Sequence, residues 1–156
     1  MTSPTTNKRR TTLAGRRGGF AVSVAVNAAL LYMINISPGW TAVPFLTADM
    51  SAVLPWINAS FAVGIVVNVV YLIVDDSLVK GIGDLLTLSV GLIAMINLWT
   101  VFPFDFGAQP GAWPTLVRVL LAFGIVGTVI AMIIACVAIL RSVPRHRRSH
   151  ARSSFR

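Results

Sequence analysis

The sequence predicts an all-α membrane protein, a bundle of four transmembrane helices, and three observations lead to that prediction. Four apolar stretches approach or exceed the ~20 residues that a helix needs to cross the ~30 Å hydrocarbon layer of a bilayer. Hydrophobic residues make up 56% of the chain and charged residues 12%, and the mean hydropathy is +0.80. Almost every cation lies outside the apolar stretches, on one side of the predicted path. The spans are predicted at about residues 20–36, 53–74, 85–102 and 116–140.

The positions of the basic residues predict how these helices are oriented. Of the 13 Lys and Arg residues, all but Arg118 precede the first span, lie between the second and third, or follow the fourth. Loops rich in Lys and Arg stay in the cytoplasm, so both ends of a multi-pass protein of the bacterial inner (plasma) membrane are predicted to be cytoplasmic. Tryptophan supports this topology independently, because indole rings favour the membrane surface. All four Trp residues fall at predicted outer helix ends: Trp40, Trp56, Trp99 and Trp113.

Residues 1–17 and 141–156 form two basic tails with few apolar side chains, and such segments are expected to be disordered in water. Both tails are placed against the inner leaflet, where each Lys or Arg near anionic lipid contributes ~1 kcal/mol. An anionic inner leaflet is therefore the expected partner. Nucleic acid is not expected, because the tails offer almost no aromatic residues for base stacking. The lipid-contacting cations are predicted to be Arg9, Arg10, Arg16, Arg17, Arg145, Arg147 and Arg148.

A basic segment followed by an apolar stretch is also typical of a cleavable export signal. The first apolar stretch, however, ends at Ile36-Ser37-Pro38 without a small-x-small cleavage site. We therefore expect the first span to remain in the protein as a membrane helix.

The predicted loops differ in character. The first outer loop, residues 37–55, is apolar for a loop and contains three prolines that interrupt helix. Thr47 is predicted to cap a short helix over residues 48–52 that lies on the membrane surface. The second outer loop, residues 103–114, is shorter and rich in turn residues. The inner loop holds three acids around Lys80, which are Asp75, Asp76 and Asp84.

One short motif occurs twice. The segment 40–45 reads WTAVPF and the segment 99–104 reads WTVFPF, and each follows an odd-numbered span. The match indicates a tandem duplication of a helical hairpin, with a pseudo-twofold axis along the membrane normal. The alternative is that interfacial Trp and helix-stopping Pro recur at any outer boundary, and both interpretations stay open.

Asparagine side chains within the spans predict polar layers between the helices. An amide is unfavourable in hydrocarbon unless it finds a partner, so buried amides usually face other helices. Antiparallel packing would bring Asn27 and Asn68 to similar depth, and would bring Asn35, Asn58 and Asn97 together near the outer end. The structural interpretation is that these amides link the helices, and the functional interpretation is that they line a polar path.

Small residues recur every four positions on the last two spans and predict close helix approach. These stripes are Gly83, Thr87 and Gly91 on the third span, and Gly127, Ala131 and Ala135 on the fourth.

Arg118 is the cation left outside the basic segments, near the outer end of the fourth span. Asp105 lies in the adjacent outer loop, so the two are predicted to form an interfacial ion pair. The alternative for Arg118 is an outward-facing anion site.

No catalytic, metal or cofactor site is predicted. A membrane metal or haem site needs His, Cys or carboxylate ligands from facing helices, but His146 and His150 lie in the tail and Cys136 is the single cysteine. Ser, His and acid do not meet in a plausible triad. The inner acids Asp75, Asp76 and Asp84 leave open a Mg²⁺ site of the kind found in lipid-phosphate enzymes.

Three segments, 35–40, 43–47 and 101–106, are similar to those of small four-span membrane proteins of actinobacterial type whose function is uncharacterised. The resemblance covers most of residues 20–140. It implies a four-span fold and a membrane location, and it implies no activity, cofactor or site residue.

The sequence therefore predicts a non-enzymatic scaffold or accessory subunit of a membrane assembly, with a membrane-protein partner or a second copy of the chain. The first alternative is a small oligomeric channel or carrier with an Asn-lined polar path. The second alternative is a phosphate-handling membrane enzyme that uses the inner acids.

Overall fold

The computed structural model describes the backbone of residues 5–107 and 111–153, and the side chains of residues 15, 17–107 and 111–140. It contains four α-helices and a single turn of 3₁₀ helix, Trp40–Ala42, in the first outer loop. The prediction of an all-α four-helix bundle is confirmed. The helices are α1 (Thr5–Asn35), α2 (Met50–Ile73), α3 (Ser77–Val101) and α4 (Trp113–Ser153).

Each helix contains a stretch that is long and apolar enough to cross a membrane, which indicates a multi-pass membrane protein. These stretches are Arg17–Asn35, Met50–Ile73, Ser77–Val101 and Trp113–Leu140. The third begins earlier than the predicted residue 85, because Asp76 starts the helix. Its carboxylate Oδ1 accepts hydrogen bonds from the backbone N–H groups of Leu78, at 2.7 Å, and Val79, at 3.2 Å. Lys80 and Asp84 therefore lie on α3 and not in the inner loop, where the sequence placed them.

The helices also extend into both basic tails. Helix α1 begins at Thr5 and α4 continues to Ser153, which differs from the disorder expected of residues 1–17 and 141–156. Residues 1–4 and 154–156 lie outside the described residues. Once a span is helical, each further residue adds a hydrogen bond without a new nucleus, so the helix can continue into a segment that would not form one alone.

The separate surface helix predicted over residues 48–52 is not formed, because α2 begins at Met50 and continues through Pro55. The hydroxyl of Thr47 donates to the Asp49 carboxylate at 3.4 Å and does not cap the helix. Pro55 removes the backbone donor that would otherwise bond the carbonyl of Ser51, an exposed residue close to the start of the helix. Proline is tolerated there because water reaches the freed carbonyl.

The two outer loops are joined to each other. Leu46 and Phe104 form an isolated antiparallel bridge. The N–H of Thr47 donates to the carbonyl of Pro103 at 3.1 Å, and the N–H of Asp105 donates to the carbonyl of Phe45 at 2.9 Å. The Pro-Phe ends of the two repeated segments therefore meet, although the first Trp lies in the 3₁₀ turn and the second in the last turn of α3.

The helices pack in chain order, α1 on α2, α2 on α3 and α3 on α4, and among the described residues α1 and α4 make no comparable contact. A pseudo-twofold axis along the membrane normal would pack α4 on α1 as closely as α2 on α3, and the packing does not have this symmetry. Among the described residues, the buried apolar side chains lie on the two central helices, apart from Pro103, which is fully buried in the second outer loop. Those on the helices are Met50, Val53, Val67 and Tyr71 on α2, and Ala94 on α3.

Candidate functional site: an inner polar cleft

A buried tyrosine joins α2 to α3 at the predicted inner end of the bundle. The Tyr71 hydroxyl lies 2.8 Å from the Asp84 Oδ1 atom and 2.7 Å from the Lys80 carbonyl oxygen. A phenol has one hydrogen, so the two acceptors share it. Gly83 makes this approach possible, because a β-carbon there would clash with the Tyr71 hydroxyl and lie 2.8 Å from Val67 Cγ1. The glycine on α3 and the tyrosine on α2 therefore form one packing unit.

Helix α1 completes this inner cluster through Phe20. Its ring meets the Tyr71 ring edge to face, with centroids 5.2 Å apart. The ammonium group of Lys80 lies 5.4 Å from the Phe20 centroid, within the range of a cation–π interaction. Three helices are thus held together by one aromatic pair, one carboxylate and one ammonium group.

Above this cluster, towards the membrane centre, lies a cleft of about 760 Å³ that all four helices line. We call it the inner cleft. Because α1 and α4 both line it without packing on each other, the cleft separates these two helices. Its volume falls in the range of roughly 300–1,000 Å³ that is typical of small-molecule sites. Its polar lining residues are Ser23, Asn68, Tyr71, Lys80, Asp84 and Thr87, and its α4 wall is Ala131, Ile134, Ala135 and Ala138.

The polar side chains of the inner cleft present mainly acceptor oxygens. The Asn68 amide donates to the Gly64 carbonyl at 2.7 Å, and the Thr87 hydroxyl donates to the Gly83 carbonyl at 2.9 Å. Tyr71 donates to Lys80 and Asp84, as described above. These groups direct hydrogens to protein acceptors, so the amide, hydroxyl and carboxylate oxygens remain as polar atoms of the wall, together with the Lys80 ammonium.

The predicted asparagine layers form only in part. Asn35 and Asn58 exchange two hydrogen bonds, of 2.9 and 2.8 Å, and so link α1 to α2 near the predicted outer end. Asn27 donates to the Ser23 carbonyl of its own helix at 2.7 Å. Asn97 likewise donates within α3, to the Ile93 carbonyl at 2.8 Å, and does not join the outer pair.

Asn27 and Asn68 both lie against Gly64, and no hydrogen bond joins their two amides. A β-carbon at Gly64 would lie 3.1 Å from the Asn27 Oδ1 atom, so the glycine makes room for the amide. Of these two amides, Asn68 lines the inner cleft. The residues do not form a continuous Asn-lined path.

The structure gives Asp105 and Arg118 other partners than the ion pair predicted between them. The Arg118 guanidinium carbon lies 4.2 Å from the Phe102 ring centroid and 5.5 Å from the Trp99 centroid. The Asp105 carboxylate accepts from the N–H of Gly107 at 2.8 Å, and its backbone is bonded to the other outer loop. These hydrogen bonds hold Asp105 in its loop. The rings of Phe102 and Trp99 contact the Arg118 guanidinium in place of a carboxylate.

The predicted aromatic belt lies at the end of the bundle where the outer loops meet. Trp40 and Trp99 are half-buried, whereas Trp56 and Trp113 are exposed. Beside them the rings of Phe45, Phe104 and Phe106 stack, with neighbouring centroids 5.9 and 6.1 Å apart.

Of the glycines in the two small-residue stripes, Gly83 marks a close helix contact, against Tyr71 and Val67 of α2. Gly91 and Gly127 have open space where a β-carbon would be. The tight contacts of α3 with α4 lie instead at Gly81, against Ile139, and at Gly124, against Met95. Ala131 and Ala135 of the predicted stripe line the inner cleft. These alanines therefore leave space and do not close it.

The inner acids do not converge on a metal position. Within the described residues, no group of three or more His, Cys, Asp and Glu side chains could hold a metal ion. Asp76 caps α3, and Asp84 is bonded to Tyr71. Cys136 is exposed on α4. The side chains of His146 and His150 lie outside the described residues.

Of the predicted lipid-contacting cations, Arg17 is exposed on α1. The side chains of the others lie outside the described part of the chain, so their contact with anionic lipid stays a prediction. They are Arg9, Arg10, Arg16, Arg145, Arg147 and Arg148.

Tyr71 is the site residue that the sequence analysis missed. The sequence does indicate a role for this residue, because a tyrosine hydroxyl in an apolar span needs a hydrogen-bond partner. Asp84 lies near the same end of the following helix and could have been paired with it, once α3 was known to begin at Ser77.

Comparison of the chain with protein-family models, curated proteins and solved structures finds no match.

Proposed function

We propose that this chain is a non-enzymatic protein of the bacterial inner membrane, with both ends in the cytoplasm, that serves as a scaffold or accessory subunit of a membrane assembly. The observation that supports this proposal is how little α1 and α4 are covered. No residue of either spanning stretch is buried, whereas α2 has five buried residues and α3 has two. Each end helix packs on one neighbour and leaves the rest of its surface to lipid or to a second protein.

The surface of α4 is the larger of the two available to a partner. It carries large apolar side chains that are mostly exposed, such as Leu120 at 62%, Phe123 at 73% and Leu140 at 71%. Lipid tails are as apolar as these residues, so a partner helix would bind through close packing and not through the hydrophobic effect. The partner is a different membrane protein or a second copy of this chain.

Site-directed cross-linking in the native membrane tests the proposal. Phe123→Cys, in a Cys136→Ala background, places a thiol for a photoreactive cross-linker on the exposed face of α4. Val53→Cys is the matched control, because Val53 is fully buried in the bundle. We expect a protein adduct of one defined mass from the first variant and none from the second. Lipid adducts alone, at Phe123 and at further exposed positions on α1 and α4, would contradict the scaffold proposal.

A carrier of small molecules is the second candidate, and the inner cleft favours it. The cleft is large enough for a ligand and combines an apolar wall with a few polar groups, which is the usual make-up of a ligand site. The amides support a channel less well, because Asn35 and Asn58 bond each other and Asn27 bonds its own helix.

Flux through liposomes separates the carrier from the scaffold. If purified protein passes small solutes and Asn68→Leu abolishes the flux while Asn97→Leu does not, the carrier is favoured and the scaffold is not. Asn97→Leu is the matched control because Asn97 bonds its own helix away from the cleft.

A phosphate-handling enzyme has the least support, because Asp76 and Asp84 already have structural hydrogen bonds. Divalent-dependent turnover that is lost in Asp84→Asn would revive it.

A further inference from the structure

We propose that the inner cleft binds a primary ammonium group on an apolar chain, with the ammonium at the Asp84 carboxylate and the chain against α4. This inference concerns a ligand site and does not depend on the scaffold proposal. It rests on the charge, the hydrogen-bonding character and the shape of the cleft.

The Asp84 carboxylate is the group in the inner cleft that can bind a cation. Asp84 lies seven residues into α3, about 10 Å from the start of the helix by the rise of an α-helix. Its Oδ1 atom is bonded to Tyr71, and a carboxylate has two oxygens that each accept hydrogen bonds. A carboxylate in so apolar a setting is stabilised by a cation. The Lys80 ammonium also lines the cleft and lies 5.4 Å from the Phe20 centroid, so it is a competing positive charge that a bound ammonium group would have to tolerate or displace.

The hydrogen-bonding character favours a primary ammonium over a quaternary one. Around Asp84, the oxygens of Asn68 and Thr87 face the same cleft, and both side chains donate hydrogens to carbonyls of their own helices. A primary ammonium offers three N–H donors to such acceptors, and a trimethylammonium offers none. An anion would be repelled by the Asp84 carboxylate, and its main donor in the cleft would be the Lys80 ammonium.

The shape of the cleft provides for an apolar tail. Its α4 wall consists of Ala131, Ile134, Ala135 and Ala138, and Leu88 and Val67 lie opposite. These residues extend from the level of Asp84 towards the membrane centre, and the small alanines are what leave the space open. An alkyl chain there would lie parallel to the helices with its head at Asp84.

Two sources provide this chemistry. One is a free long-chain amine, and the other is a phospholipid whose headgroup ends in a primary amine. Both present a primary ammonium attached to an apolar chain, so the test includes a probe for each.

The test measures which amphiphiles the purified full chain retains, by native mass spectrometry from detergent. Dodecylammonium, dodecyltrimethylammonium and dodecyl sulfate share one tail and differ in the head. We expect dodecylammonium to be retained best, and Asp84→Asn to reduce its retention about tenfold. The variant keeps an oxygen that accepts from Tyr71, so the fold should persist, and circular dichroism checks this. Asp105→Asn removes the same charge at the other end of the bundle and should change nothing.

Two further variants keep the test decisive. Lys80→Gln removes the competing ammonium near the cleft and should raise dodecylammonium retention, while Ala135→Leu should lower retention of any tailed probe by filling the wall. Equal retention of the three probes, or equal effects of Asp84→Asn and Asp105→Asn, would overturn the proposal. So would preferential retention of dodecyl sulfate that Lys80→Gln abolishes.

The lipid arm compares phosphatidylethanolamine with phosphatidylcholine of the same tails. Preferential retention of phosphatidylethanolamine that is lost in Asp84→Asn supports the site with a lipid as its source. Retention of dodecylammonium without retention of phosphatidylethanolamine supports the site with a free long-chain amine as its ligand. Failure of both primary amines to exceed their trimethylated counterparts overturns it.

Discussion

The hydroxyl of Tyr71 is the polar atom on which the inner end of the bundle depends most. It lies on α2, and its two acceptors, a carboxylate and a backbone carbonyl, both belong to α3. In an apolar setting, a hydrogen bond whose partner is removed leaves an acceptor without compensation, and that loss exceeds the net value of the bond. The residue therefore couples the two central helices and also shapes the floor of the inner cleft.

Removing this hydroxyl should destabilise the protein. Tyr71→Phe keeps the ring against Phe20 and leaves the Asp84 carboxylate without its donor, so we expect a loss of about 1–3 kcal/mol in the free energy of unfolding. The measurement is thermal or denaturant unfolding in micelles. Tyr32→Phe is the matched control, because the Tyr32 side chain is 54% exposed. Equal stability of the two variants would contradict the role given to Tyr71.

Glycine at position 83 allows Tyr71 to approach α3. Gly83→Ala would force a β-carbon into Tyr71 and Val67, and overpacking of this kind costs about 1–3 kcal/mol of stability. Gly127→Ala is the control on α4, where nothing lies within 4 Å and the higher helix propensity of alanine should stabilise the helix by up to about 1 kcal/mol. Unfolding of both variants in the same micelles should therefore shift in opposite directions. A Gly83→Ala variant that is more stable than the parent protein would show that α2 and α3 lie further apart than in the structure.

At the scale of the helices, the spans could be predicted from the sequence. A helix that crosses a bilayer must be apolar along its length, and hydropathy measures this property. Helix α2 was predicted from residue 53 and begins at Met50. The start of α3 could not be predicted in the same way, since its first turns carry Lys80 and Asp84, and charged residues between two apolar stretches are typical of a loop. The acids have local roles instead, with Asp76 as the cap of α3 and Asp84 as the partner of Tyr71.

The link between α1 and α2 at the predicted outer end rests on Asn35 and Asn58. A double-mutant cycle with Asn35→Leu and Asn58→Leu should give a coupling of about 0.6 kcal/mol, the average for polar contacts between membrane helices. Each single variant leaves the other amide without its partner on the facing helix, so the losses of the two single variants should sum to more than the loss of the double variant. Asn97→Leu serves as the control, because Asn97 bonds its own helix, and it should show no coupling to Asn58→Leu. Additive effects of Asn35→Leu and Asn58→Leu would mean that the two amides do not interact.

The outer end of α4 is held by aromatic faces and not by a carboxylate. Phe102→Leu should lower stability by about 0.5–2 kcal/mol, because Arg118 loses the ring that lies 4.2 Å away. Asp105→Asn should leave the contribution of Arg118 unchanged, as a double-mutant cycle with Arg118→Gln in micelles would measure. Strong coupling of Asp105 to Arg118 would restore the ion pair that the sequence predicted.

At the scale of the whole molecule, the chain-order packing of the helices is what the sequence could least reveal. A helix face that meets lipid and a face that meets protein have similar composition in a membrane, so the separation of α1 from α4 leaves no mark in hydropathy. Alanines such as Ala131 and Ala135 predict close approach by their size, yet they line the space between these helices. The number of spans and the aromatic end could be predicted, and the cleft could not.

The orientation of the molecule is the premise for the proposed function, because it places the basic tails and the inner end of the bundle on the cytoplasmic side. Cysteine labelling in intact cells with a membrane-impermeant maleimide tests it most directly, in a Cys136→Ala background. Ala48→Cys lies in the first outer loop and Ser77→Cys at the start of α3, and both positions are exposed. The account predicts labelling of Ala48→Cys in intact cells and of Ser77→Cys only after permeabilisation. Labelling of Ser77→Cys in intact cells, with Ala48→Cys protected, would contradict it.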